Sequence, residues 1–334
     1  MIEAAGGCAV RLTGAGGHDG NIGFYTHVNL CGYAKAVVSE ALDGLYSDLS
    51  AVAVINSCDA MRRVGDLFAT VAPNLPSHVI DIPRQSDDEA IDLFVVRLRQ
   101  FAAFLERALC RRVDEDALGD CIDSSNQARA LAARWEEEGR RGGFPKGLRF
   151  HYAPLTQRHR QTSREFVRDM TGQLEAWKAQ TPTPAAPRGR PRLLVTGGFS
   201  LLDEVFSALD QAGVDAWAVD HCHAGRMTNR IERTDDPFRD LAVAYLNRRP
   251  CPRMSFADRR IDWLEEVVRD MRVDGILYVL LGNCDQFMYD VTLLRDRLRD
   301  SGTPLLVLQT SMPGARNEQW KTRLDAFCEI LHAR

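Results

Sequence analysis

Nine cysteines are the residues here whose chemistry is least explained by packing alone. Three sit in short polar loops: Cys31 in Asn29-Leu30-Cys31-Gly32-Tyr33, Cys58 in Asn56-Ser57-Cys58-Asp59, and Cys284 in Gly282-Asn283-Cys284-Asp285. A deprotonated thiol is a nucleophile and a soft metal ligand, so loop cysteines invite thiolate or metal chemistry. An odd number of cysteines without short regular spacing argues against a disulfide framework. No Cys-x-x-Cys pair is present, so spacing by itself does not reveal a cluster. Each loop cysteine taken singly also fits plain burial, because free cysteine behaves as a small hydrophobe. Cys110 and Cys328, within amphipathic helical sequence, read as packing residues.

The elements that would position these residues are legible in the hydrophobic pattern. Ser50 to Ile55 is a short apolar, β-branched run of the kind that forms a buried parallel strand. The Cys58 loop follows it directly. From Ala60, apolar Met61, Val64 and Leu67/Phe68 fall at helical spacing. His78 to Pro83 predicts a second strand, and Ser86-Asp87-Asp88 a helix start. Further strands are predicted at Arg192 to Gly197, Ala216 to Asp220, Gly275 to Leu281 and Pro304 to Leu308, with a helix over Leu201 to Ala212. Strands alternating with helical segments predict an α/β fold: two doubly wound, Rossmann-like parallel-sheet domains with a largely helical middle segment. In such sheets, sites collect where the loops leave the carboxyl ends of the strands. Cys58 and Cys284 both fall there. Cys31 precedes helical sequence beginning near Ala34, and a helix N-terminus favours the thiolate.

A chain of 334 residues is long enough for two domains. The expected division is an N-terminal α/β domain over 1–86 carrying Cys31 and Cys58, a helical segment over 87–180, a Pro-rich linker over 181–191, and a C-terminal α/β domain over 192–334 carrying Cys284. The linker, Thr181-Pro182-Thr183-Pro184-Ala185-Ala186-Pro187 onward, has the composition of a semi-rigid spacer. Hydrophobic content of 45%, a net charge of -4 and a pI near 6.1 give no basic footprint for nucleic acid. With no apolar run near the roughly 20 residues a bilayer requires, and no secretory pattern at Met1 to Gly7, a cytoplasmic location is expected. Gly197-Gly198 follows a strand, yet no Gly-x-Gly-x-x-Gly or Walker sequence accompanies it.

Several motifs taken in order resemble the 2-hydroxyacyl-CoA dehydratase (D-component) and benzoyl-CoA reductase subunit family. In the N-terminal part these are Cys31-Gly32-Tyr33-Ala34-Lys35, Asn56-Ser57-Cys58-Asp59-Ala60-Met61-Arg62-Arg63 and Val79-Ile80-Asp81-Ile82-Pro83. Pro191 to Gly197, Asp220 to Arg226, Asp236-Pro237, Pro250-Cys251-Pro252, Val273 to Ile276, Asn283-Cys284-Asp285 and Lys321 to Phe327 continue the series. The resemblance implies that Cys31, Cys58 and Cys284 bind a 4Fe-4S cluster, leaving one iron open. It also implies one-electron, ketyl-radical chemistry on a CoA thioester. The electron would come from an ATP-dependent iron–sulfur activator protein, and the subunit would work as a homodimer or beside a paralogous subunit. Ser57, adjacent to Cys58, is the candidate catalytic residue, with a turn-forming role as its alternative. Arg226 is the candidate substrate-binding residue, for a CoA phosphate, with a solvated loop arginine as its alternative.

Two departures from the family pattern bear on this reading. Such sequences usually carry additional residues, one of them acidic, ahead of an Ala-Ala-Gly like Ala4-Ala5-Gly6. They also often have Glu-Thr-Asp where Gln309-Thr310-Ser311 stands here, a loss of two carboxylates from a strand end. Besides an active dehydratase or reductase subunit, two readings stay open: a double-cubane-type homodimeric reductase of small molecules, and a non-catalytic partner subunit. His221-Cys222-His223 is a poor metal site because consecutive residues rarely converge on one ion, and Cys251 between two prolines reads as a rigid loop.

Overall fold

The two apolar runs of the N-terminal third pair in parallel as β1 (Val52–Asn56) and β2 (Ser77–Asp81), in register from Val52 against Ser77 to Asn56 against Asp81. Between them runs α2 (Asp59–Val71), which turns Val64, Gly65 and Phe68 inward. Gly65 lets this helix lie close on the sheet, since a β-carbon there would come within 2.5 Å of Val79. Ahead of β1, α1 (Gly32–Leu42) is nearly all buried along its length. These features come from a computed structural model that describes residues 1–15, 22–142, 147–179, 190–198, 202–221, 228–249, 251–311 and 318–333.

The C-terminal half carries a four-stranded parallel sheet in the order β4-β3-β5-β6, built from β3 (Arg192–Gly197), β4 (Asp215–Asp220), β5 (Gly275–Leu281) and β6 (Leu305–Thr310). All seven residues of β5 are buried, as expected of a central strand covered on both faces. Alternate residues serve opposite faces. Leu193, Val195, Leu277 and Val279 meet α7 (Leu202–Ala212) and α11 (Glu318–His332). Leu194, Ile276, Tyr278 and Leu280 meet α9 (Ala257–Asp270), α10 (Asp285–Ser301) and the N-terminal α1, β1 and α2. One apolar core therefore joins the N-terminal unit to a face of the C-terminal sheet.

The middle of the chain is helical: α3 (Asp88–Leu109), α4 (Glu115–Gly142), α5 (Leu148–Gln157) and α6 (Ser163–Ala179). Asp87 starts α3, its carboxylate accepting the Ala90 N–H at 2.8 Å. Apolar residues of α3 pack with α8 (Pro237–Leu246) and Ile80 of β2, whereas α4 to α6 contribute Ala132, Trp135, Tyr152 and Met170 to the core of the C-terminal sheet. The fold is thus mixed α/β with parallel sheets. The C-terminal half shows the doubly wound pattern, and the N-terminal unit shows one parallel β-α-β pair among the described residues. Of the Pro-rich segment only Arg190 and Pro191 lie within the described residues. Cys110 departs from the expected packing role: it caps the C-terminus of α3 in a left-handed conformation (φ 53°), a position outside the helix's buried face, and is exposed.

Candidate functional site

Strand order fixes where the C-terminal sheet opens. From β3 the chain winds outward to β4, then returns to the other side of β3 to make β5 and β6. Loops after β3 and β5 therefore diverge, leaving the crevice typical of a topological switch point. On one side Gly197 has φ 135°, and a β-carbon there would sit 2.0 Å from the Val279 carbonyl oxygen, so only glycine fits. On the other side lies Gly282-Asn283-Cys284.

All three loop cysteines are helix N-caps: Cys31 of α1, Cys58 of α2 and Cys284 of α10. None closes a standard capping hydrogen bond. The N–H groups of Ala34 and Tyr33 nevertheless favour the Cys31 thiolate, as that of Phe287 does for Cys284. Three helix N-termini thus bring positive dipole ends and free N–H groups to the sulfurs. Cys31 and Cys284 are buried and Cys58 is half-buried.

The three thiols also feel one another. Burial raises the Cys31 thiol above its usual value, and negative charge on Cys58 raises it further. Burial pushes Cys284 up to about 11, with Arg253 opposing and both Cys31 and Cys58 adding to the rise. Residues far apart in sequence are therefore neighbours in space. Among the described residues, no group of three His, Cys, Asp or Glu side chains is arranged to hold a single metal ion.

Local hydrogen bonds lock the loops together. Asn283 takes a left-handed conformation (φ 58°), which asparagine tolerates better than most residues. Its amide donates to the Val28 carbonyl at 3.4 Å, and the Lys35 ammonium donates to the same oxygen at 2.8 Å. The Cys31 and Cys284 loops are thereby tied through one carbonyl. The Gly282 N–H donates to Thr310 O at 2.7 Å, anchoring the turn to the end of β6. At the Cys58 loop, Asn56 donates to Asp81 at 2.6 Å, joining the ends of β1 and β2.

Beneath the sheet's carboxyl edge lies a polar network. Arg260 on α9 and Asp220 at the end of β4 are both 0% exposed. Arg260 Nη1 donates to Asp220 at 2.7 Å, its Nε to Asp290 of α10 at 2.9 Å, and its Nη2 to Thr196 at 3.0 Å. The Tyr278 hydroxyl donates to Asp290 at 2.6 Å. The network joins α10, whose N-cap is Cys284, to the ends of β3 and β4.

Residues 1–331 match the family model described as 2-hydroxyglutaryl-CoA dehydratase, D-component. The chain belongs to this dehydratase family. It is 20% identical to the (R)-phenyllactyl-CoA dehydratase beta subunit of Clostridium sporogenes, over 99% of this chain and 88% of that one. Identity to the lactoyl-CoA dehydratase subunit beta of Anaerotignum propionicum is 22%, over 99% and 88%. To the (R)-2-hydroxyglutaryl-CoA dehydratase subunit alpha of Acidaminococcus fermentans it is 23%, over 83% of this chain and 59% of that one.

In this dehydratase-family chain Cys31, Cys58 and Cys284 stand at the N-termini of α1, α2 and α10, within electrostatic reach of one another. Ser57 stands beside them, half-buried, its N–H donating to Ile55 O at 2.7 Å in a tight turn. Arg226 lies outside the described residues, as do Cys222 and His223, while His221 is wholly buried at the end of β4. Gln309 and Ser311 are exposed at the end of β6, where the Gln309 amide approaches Gly282. The Cys251 carbonyl accepts the Met254 N–H at 2.9 Å, closing a tight turn that contains Pro252. Sequence reasoning missed Arg253 and the Arg260 network. Arg260 did carry a signal, since it shares a helix face with Leu264, one turn on.

Proposed function

We propose that this chain is the iron–sulfur subunit of a 2-hydroxyacyl-CoA dehydratase. The observation that supports the reading is that Cys31, Cys58 and Cys284 each stand at a helix N-terminus, with the charge of Cys58 felt at Cys31 and the charges of both felt at Cys284. Three thiolates suit a 4Fe-4S cluster with one iron left for an exogenous ligand. When bound, such a cluster supplies low-potential electron transfer to the thioester.

The protein's own residues have separate tasks. Cys31 and Cys284, buried, would shield their side of the cluster from water, and half-buried Cys58 would mark its more open side. Ser57 would offer a hydroxyl beside Cys58 to orient a bound acyl group. Arg226 would hold a CoA phosphate. Gln309 and Ser311 offer amide and hydroxyl groups instead of carboxylates, so proton removal from the substrate would fall to a paralogous subunit or to the substrate-bound complex. A heteromeric enzyme accords with the relatives, which are named as alpha and beta subunits.

The chain has no Walker sequence, so the electron would be driven in by a separate ATP-dependent iron–sulfur activator. Anaerobic assay of a 2-hydroxyacyl-CoA panel tests this. With dithionite alone the chain should be inactive. Turnover should appear on adding the paralogous subunit, activator, ATP and Mg²⁺. A chain that binds its cluster yet stays inactive with cognate activator and every paralogous subunit would refute the dehydratase reading and favour the small-molecule reductase.

A further inference from the structure

At the amino ends of the C-terminal strands, opposite the edge that carries the Cys284 loop, lies an open cleft of about 410 Å³. It is bounded by the last turns of α4, the start of β3, Trp217 of β4 and the turn between α9 and β5. Four arginines line it, Arg140, Arg141, Arg192 and Arg272, against two carboxylates, Glu137 and Asp270. In a chain of net charge -4 this is a local excess of positive charge. The acids nearby are already engaged. Arg141 pairs with Glu137 at 2.5 Å, Arg269 with Asp270 at 3.2 Å and Arg190 with Asp215 at 3.5 Å. The Asp274 carboxylate accepts the Arg192 N–H at 2.7 Å. Among the described residues, the guanidiniums of Arg140, Arg192 and Arg272 pair with no carboxylate. That of Arg192 lies instead over the Trp217 ring, 4.3 Å from its centre, a stack that holds the planar fork in place.

Two departures from regular backbone meet at this cleft. Leu193 faces Ala216 and Leu194 faces Ala218 across the β3–β4 pair, so Trp217 is the extra residue of a bulge, a device that re-aims a side chain. Arg272 takes a left-handed conformation, with φ 50°. It closes α9 in a Schellman arrangement, its N–H donating to Arg269 O at 3.3 Å and the Val273 N–H to Val268 O at 3.2 Å. Glycine is the usual residue there, because a side chain is strained in that conformation. Attraction to the helix dipole accounts for Arg140 and Arg141 in the last turn of α4. It does not account for Arg192, which opens a strand, nor for the bulge beside it.

We infer that this cleft is a binding site for a phosphate dianion, free or as the end group of a phosphomonoester. Guanidinium groups present paired N–H donors in a fork that matches phosphate oxygens. Four arginines against two carboxylates leave an excess of two positive charges, which a phosphate dianion neutralises. The inference stands apart from the cysteine site and does not rest on the dehydratase reading.

Isothermal titration calorimetry of the whole chain in low-salt chloride buffer tests it with two probes, inorganic phosphate and adenosine monophosphate. Saturable binding of phosphate is expected. It should weaken about tenfold in Arg192→Met, which keeps an apolar stem over Trp217, and about tenfold in Arg272→Gly. Arg272→Gly also relieves the left-handed strain, so its thermal midpoint should equal or exceed that of the wild type, which separates lost binding from lost folding. Arg168→Met removes an exposed arginine paired with Asp169 on α6 and should leave the affinity unchanged. Tighter binding of the nucleotide than of phosphate assigns the site to an organic phosphomonoester, and equal or weaker binding assigns it to free phosphate. Absence of saturable binding, affinity unchanged in both Arg192→Met and Arg272→Gly, or an equal loss in Arg168→Met would overturn the assignment.

Discussion

At the scale of single residues, the loop positions of the cysteines were readable because their loops follow strand and helix signals in the sequence, whereas a shared site for them was implied by the family resemblance alone. Asn283 shows what local pattern leaves out. Its left-handed backbone sets the direction in which Cys284 enters α10, and only the Val28 contact in a distant loop reveals it. Asn283→Ala should cost about 1–2 kcal/mol through the left-handed penalty, and Asn283→Gly substantially less. Denaturant midpoints of the two variants check this, and equal losses would locate the effect in the Val28 hydrogen bond instead. Arg260 is the sterner case. Replacing it with Met leaves Asp220 and Asp290 buried together with no cation between them, a change expected to cost about 3–5 kcal/mol. Thermal unfolding measures it, and a loss under about 1 kcal/mol would show that water or protonation compensates.

At the scale of elements, strands were the most legible part. The all-apolar β5 matches its predicted span of Gly275 to Leu281, and the other strands agree within two residues. Helix α3 begins where Ser86-Asp87-Asp88 signalled it, and Asp87→Ala should destabilise by about 1 kcal/mol, seen as faster amide exchange in the first turn of α3. The contacts between helices were not legible, because charged helical sequence says little about its partner. His151 of α5 is such a contact. It stacks on Trp135 of α4 with ring centroids 5.3 Å apart, and Gly139 leaves room for its ring. Burial, with a smaller contribution from the Arg140 charge, lowers its pKa to about 3. The folded state therefore keeps His151 neutral while the unfolded chain binds a proton near its ordinary value of 6.5. This contribution to stability is complete above pH 6.5 and is lost as pH falls toward 3, at about 1.4 kcal/mol per pH unit. His151→Phe should flatten that part of the stability profile. A profile of unchanged slope would place the acid sensitivity elsewhere.

At the scale of the whole molecule, the N-terminal unit and the C-terminal sheet share a core through Val38, Val54, Ile276 and Phe287. That shared core is what brings a loop after β1 beside a loop after β5. A reading of the sequence as separate domains joined by a Pro-rich segment foresaw the two parallel sheets but not the core between them, since a buried face does not name its partner. No helix among the described residues is long and apolar enough to cross a membrane. The measurement that bears most directly on the proposed centre is iron per chain after anaerobic reconstitution, for the wild type, for Cys31→Ala, Cys58→Ala and Cys284→Ala, and for Cys110→Ala as control. The account predicts about four irons in the wild type and control, and fewer than about one in each of the other three. Iron content unchanged across all three loop-cysteine variants would contradict it.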